Sequence, residues 1–129
     1  NLVDLSKKNL LIWGASFKPN TDDIRDSMAI KLIKRLSNES NSIYLYDPMA
    51  IENAQKVLSE YKNIFYIFDK FSKIEDCHAL IIATEWKEFW NPNFQSLTKL
   101  KDSYIFDGRN ILNKSQVEEF KLNYIGVGT

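Results

Sequence analysis

Cations and acids cluster where this chain passes from an apolar run into a helical pattern. The stretch "GASFKPNTDDIRDS", Gly14 to Ser27, carries Phe17, Lys18, Asn20, Thr21, Asp22, Asp23 and Arg25. Further on, "DGR" brings Asp107, Gly108 and Arg109, "TEW" brings Thr84, Glu85 and Trp86, and Asp47 is followed by Pro48. A lysine is a movable point charge and an arginine a planar fork, so Lys18 and Arg109 together suit a diphosphate or the edge of a nucleobase. The dinucleotide fingerprint needs three glycines for close approach of a pyrophosphate, and the first loop has one, followed by a phenylalanine, a lysine and a proline.

The same residues have plainer uses. Lys18 with Asp22, and Arg109 with Asp107, would satisfy one another as surface ion pairs. Asp47 suits a cap on the helix that follows it, and Asp26 or Ser27 suits a cap at Met28. Glu85 reads as a carboxylate facing a helix start, and Phe65, Tyr66 and Phe68 read as core. Cys77 and His78 are adjacent, so their side chains diverge and make a poor nucleophile–base dyad. The chain has no second Cys or His, so this pair also cannot complete a structural zinc site. No catalytic residue and no metal ligand is expected.

The elements that must position these residues follow from periodicity. Apolar runs at Leu10 to Trp13, Ile43 to Tyr46, Ile64 to Phe68, Ala79 to Ala83, Tyr104 to Phe106 and Tyr124 to Val127 read as strands. Between them, Met28, Ile30, Ile33 and Leu36, then Ile51, Ala54, Val57 and Leu58, then Phe94, Leu97 and Leu100, then Val117 and Phe120 keep helical spacing. Strands apolar on both faces and separated by helices predict an α/β fold of three layers, a doubly wound, mainly parallel, Rossmann-like sheet with helices on both faces. Ligands of such sheets gather at the carboxyl ends of the strands, where the polar residues named above stand.

Composition narrows the function classes. The 129 residues suit one compact domain, and 17 Lys and Arg balance 17 Asp and Glu, so no net field draws the chain to nucleic acid or an acidic membrane. Any anion site must be local. No apolar run approaches the length of a membrane span, and the single cysteine forms no internal disulfide, which agrees with a reducing cytoplasm.

In "GASFKPNTDDIRDSMAIKLIKRL", "IYLYDPMA", "CHALIIATEWKEFWNPNFQSL" and "YIFDGRNIL", in order from about Asn9 to Gly128, the chain resembles the C-terminal domain of the UDP-glucose/GDP-mannose dehydrogenase family. Thr21 in "FKPNTDD", "TEW" and "FDGRN" are most similar to the branch that oxidises UDP-glucose, with the GDP-mannose and UDP-N-acetylmannosamine branches next. The resemblance implies that residues 1–8 are a tether from upstream domains and that 9–129 form the UDP-sugar-binding domain. It implies further that Phe17, Lys18 and Arg109 contact the nucleotide sugar and that Arg25 lies near NAD. The NAD would be bound mainly by an upstream domain carrying the glycine fingerprint. A central helix that makes the parent a homodimer or higher oligomer, and the catalytic cysteine and lysine, are also expected upstream.

The implied reaction of the parent passes two hydrides to two NAD molecules and turns the C6 alcohol of the sugar into a carboxylate through an upstream thioester. This domain would add binding energy remote from the reacting carbon. Ser16 departs from the commoner "GLAF" opening. Two other classes remain open: a stand-alone nucleotide-binding or scaffolding module, and a receiver-type phosphoacceptor built on Asp22, Asp23, Asp47 and Thr84.

Overall fold

A computed structural model of the chain describes residues 4–127. A 3-10 turn at Leu5–Lys7, capped by Asp4, leads into strand β1, Asn9–Trp13. There follow α1 (Met28–Glu39), β2 (Ser42–Tyr46), α2 (Ile51–Val57), β3 (Ile64–Tyr66), β4 (Ala79–Ile82), α3 (Phe94–Leu97), β5 (Tyr104–Asp107), α4 (Lys114–Glu119) and β6 (Asn123–Gly126). The part of the expected tether before Asp4 lies outside the described residues. At the end of that tether, Lys8 donates to the Asp102 carboxylate at 2.7 Å.

All six strands are parallel, in the order β3-β2-β1-β4-β5-β6. The order reverses direction at β1, so β1 and β4 are neighbours whose continuations diverge to opposite sides. A cleft opens at the carboxyl ends of such a pair. Leu11, Ile12 and Trp13 are wholly buried, as a strand covered on both faces requires.

Right-handed crossovers put α1 and α2 on one face and α3 and α4 on the other. On the first, Leu10, Ile12, Ile43 and Leu45 pack with Ile30 and Ile33 of α1 and Ala54 of α2. On the second, Leu11, Trp13, Leu80, Ile82 and Ile105 pack with Phe94, Leu97 and Val117. The helix starts follow local chemistry. Ser27 caps α1 by accepting from the Ile30 N–H, and Asn93 and Asn113 cap α3 and α4 in the same manner.

One expectation about the core changes. Phe65 and Phe68 are 47% and 79% exposed, because β3 is an edge strand of the sheet and ends at Tyr66. Phe65 instead stacks on Tyr44 with ring centroids 5.5 Å apart.

Candidate functional site

Three strand ends meet at Ser16. Its N–H and hydroxyl both reach Asp47 Oδ2 at 3.2 Å, its carbonyl accepts from Thr84 Oγ1 at 3.1 Å, and its hydroxyl accepts from the Trp86 indole at 3.2 Å. Asp47 is almost fully buried and takes further donors from Ala15 N at 2.8 Å, Met49 N at 2.9 Å and Ala50 N at 2.8 Å. A buried carboxylate is tolerable only when its lone pairs are filled, and here backbone N–H groups fill most of them. Asp47 therefore caps the turn before α2 and ties that turn to the β1 loop; the helix itself starts at Ile51, and its N-cap residue, Ala50, makes no side-chain cap.

Gly14 explains how the loop leaves the sheet. Its φ is +110°, and a Cβ built there would stand 2.5 Å from Thr84 Oγ1. The absent side chain is used for packing strand end against strand end. No glycine of this loop is left to admit a pyrophosphate, so the loop does not fit the phosphates of a dinucleotide.

Beyond Ser16 the chain emerges. Phe17 is 52% exposed, its N–H donating to the Asp23 carbonyl at 2.7 Å, and Lys18 is exposed. Within the described residues the Lys18 ammonium has no hydrogen bond or ion pair, so the pair expected with Asp22 is not formed. Arg25 folds back on Asp23, donating from Nε at 3.0 Å and Nη2 at 2.9 Å. Those bonds to the guanidinium hold the Asp23 carboxyl down to about 2. Ser27, rather than Asp26, is the cap of α1, and its hydroxyl also donates to the Ala15 carbonyl at 2.9 Å, closing the loop on itself.

On the other side of β4, the buried Asp107 accepts from the N–H groups of Arg109 at 3.1 Å and Leu112 at 2.8 Å and from the Tyr124 hydroxyl at 2.9 Å. These bonds fix the path of the loop. The Arg109 guanidinium does not pair with Asp107, as the sequence suggested, because that carboxylate is buried and already filled. It pairs with Glu85, Nε donating to Oε1 at 2.8 Å. Glu85 is therefore no helix cap. It leaves the end of β4 and holds Arg109 by its Nε and Nη2 edge.

Lys18 and Arg109 thus lie on the loops that follow β1 and β5, the two strands flanking β4, and Glu85 leaves β4 to meet Arg109. Cations carried on two loops of one sheet edge can hold an anion that spans them. Phe17 adds an exposed aromatic face. Arg25 lies in the same loop but is turned toward Asp23, and its side chain is 87% exposed.

Cys77 and His78 lie elsewhere, just before β4. Burial pushes the Cys77 thiol up to about 12, and His78 Nδ1 accepts from the Asn9 N–H at 3.0 Å. Neither group reaches the carboxyl edge. What the residue-by-residue reading missed was the network of Ser16, Thr84 and Trp86. Its one signal was a run of small polar residues directly after apolar strands, where side chains are normally buried.

The sequence pattern of the UDP-glucose/GDP-mannose dehydrogenase family, UDP binding domain, matches residues 11–114. The chain is 38% identical over 127 residues to the UDP-glucose 6-dehydrogenase of Rickettsia conorii, covering 98% of this chain and 29% of that protein. It is 31% identical over 122 residues to the UDP-glucose 6-dehydrogenase TuaD of Bacillus subtilis, covering 94% of this chain and 26% of that one. Among solved structures, a UDP-glucose dehydrogenase from Pyrobaculum islandicum superposes with a TM-score of 0.77 at 29% identity, over 96% of this chain and 26% of its own. A UDP-D-ManNAc dehydrogenase from Pyrococcus horikoshii does so with a TM-score of 0.76 at 26% identity, over 98% of this chain and 27% of its own. The chain spans less than a third of the length of these relatives.

Proposed function

The chain belongs to the UDP-glucose/GDP-mannose dehydrogenase family, and from that premise we propose that it is the nucleotide-sugar-binding domain of an NAD-dependent UDP-glucose 6-dehydrogenase. The observation that carries this reading is the placement of two cations, Lys18 and Arg109, on loops that leave β1 and β5 at one edge of the sheet. Buried carboxylates, Asp47 and Asp107, fix the roots of those loops.

In this reading the diphosphate of a UDP-sugar spans Lys18 and Arg109, with Phe17 against the nucleotide or sugar. Arg109 offers its Nη1 and Nη2 edge, since Glu85 engages the other. The domain contributes orientation and binding energy, and it carries no acid, base or nucleophile for the oxidation. NAD belongs mainly to domains beyond this chain, in accord with a β1 loop that lacks the glycines of a dinucleotide cradle, and Arg25 is the one residue here assigned to it. The parent enzyme acts in the cytoplasm as a homodimer or higher oligomer.

Steady-state kinetics of the full-length enzyme test the assignment. Lys18→Ala and Arg109→Ala should each lower kcat/KM for the nucleotide sugar about 10- to 150-fold, the equivalent of roughly 1.5 to 3 kcal/mol for a charge-assisted hydrogen bond, while that for NAD changes less. Arg25→Ala should show the opposite bias. Nucleotide-sugar parameters within about twofold of the parent, near 0.4 kcal/mol, would make the two cations ordinary surface charges.

A further inference from the structure

The ion pair of Glu85 with Arg109 does little for the stability of the fold. Its side chains are 38% and 39% exposed, and a solvent-exposed pair contributes little to folding. Both of its backbone roots are nevertheless held. Arg109 donates its own N–H to Asp107 Oδ1 at 3.1 Å, and the Gly108 N–H reaches the Ile82 carbonyl at 3.0 Å, so the arginine is pinned to the ends of β5 and β4. Glu85 stands between Thr84 and Trp86, which both bond Ser16, and its carbonyl accepts from the Trp90 indole at 3.1 Å. Between two fixed backbones only the side chains retain freedom, and their contact removes it.

We infer that Glu85 is a positioning residue for Arg109, one that fixes which edge of the guanidinium meets the nucleotide sugar. Nε and Nη2 of Arg109 both donate to Glu85 Oε1. The five donors of a guanidinium are rigidly placed in one plane, so committing the Nε edge to Glu85 aims the Nη1 and Nη2 edge in one direction. A long side chain held in this way loses less freedom when a ligand arrives, a gain of about 3- to 10-fold in affinity. The carboxylate also acts in the opposite sense, since a negative charge beside Arg109 repels an anion. Water and salt screen that repulsion where both groups are exposed, so orientation outweighs it. The neighbours of Glu85 define its reach. Thr84 and Trp86 engage Ser16 of the β1 loop, and Glu85 between them engages the β5 loop, so its effect is confined to Arg109 and does not extend to Lys18.

The inference rests on the proposed reading of Arg109 as a contact of the nucleotide sugar, and its test uses the full-length enzyme. Glu85→Ala should raise the KM for the nucleotide sugar about 3- to 10-fold and leave kcat and the KM for NAD within about twofold, because orienting a remote binding group serves ground state and transition state alike. Glu85→Gln keeps an acceptor oxygen without the charge and should return the KM to within about twofold of the parent. In an Arg109→Ala background Glu85→Ala should have no further effect, whereas its effect should multiply with that of Lys18→Ala. In the 129-residue chain, the Arg109 Nε–H should exchange slowly with solvent in the parent and in Glu85→Gln, and quickly in Glu85→Ala. A KM lowered in both Glu85→Ala and Glu85→Gln would make the carboxylate a repelling charge and overturn the inference. Effects that multiply with Arg109→Ala would give Glu85 a role of its own and overturn it as well. If Arg109→Ala itself leaves the nucleotide-sugar parameters unchanged, the reading of the site falls too. A loss in Arg109→Ala beside a parent-like Glu85→Ala overturns the positioning role alone.

Discussion

Asp47 shows how a single side chain can define a site without touching a ligand. Five donors converge on it, four of them backbone N–H groups from two different loops. Asp47→Asn replaces one acceptor oxygen with an NH2 that faces donors. With at least one buried N–H left unsatisfied, a loss of about 1–3 kcal/mol or more is expected in urea unfolding, larger than for Asp22→Asn on the exposed part of the β1 loop. Arg109 makes a second residue-scale case. If its fork meets a phosphate edge-on, Arg109→Lys in the full-length enzyme should recover little of the nucleotide-sugar kcat/KM lost in Arg109→Ala, because an ammonium cannot present two parallel donors. Cys77 supplies a third. Its thiol is fully buried and pushed up to about 12 by that burial, so its thiolate is scarce at neutral pH. Alkylation should be slow in the native chain at both pH 7 and pH 9, and become fast only on adding denaturant. Rapid native labelling at pH 7 would contradict that placement.

At the scale of elements, the β1 loop is shaped by its contact with β4. Gly14 abuts Thr84 and adopts a φ that L residues rarely hold. Gly14→Ala combines a clash with backbone strain of about 1–3 kcal/mol. It should lower the thermal midpoint by several degrees and shift the Lys18 and Phe17 resonances in NMR spectra. The motif "GASFK" was legible in the sequence as a strand-to-helix turn, and Ser27 as one of two cap candidates, because both depend on neighbours a few residues away. The partner of Arg109 was not legible. Asp107 is nearer in sequence, but folding buries its carboxylate and fills it with backbone N–H groups, and Glu85, 24 residues away, is brought alongside.

For the whole molecule, the six-stranded sheet with helices on both faces is a folded unit and, on the proposed reading, only one wall of a substrate cleft. A formed ligand pocket buries most of its ligand, and a single wall cannot. The 129-residue chain should therefore unfold in one cooperative transition, reduce no NAD with any nucleotide sugar, and bind UDP-sugars weakly. Turnover by the purified chain, or calorimetric affinity at micromolar or tighter, would show a complete site and contradict the domain reading.

Alternating short apolar runs and helical spacings determined, by themselves, the α/β class and the parallel sheet, since each depends on local pattern and on the burial of both strand faces. They also determined that Lys18 and Arg109 leave strands at the carboxyl edge. The tertiary structure alone decided that β1 lies between β2 and β4. From that order follow the meeting of Asp47, Ser16 and Thr84 and the Glu85 pairing. The physical reason is that strand order is fixed by how whole layers pack and cross over. That competition involves the entire chain, and no window of neighbouring residues contains it.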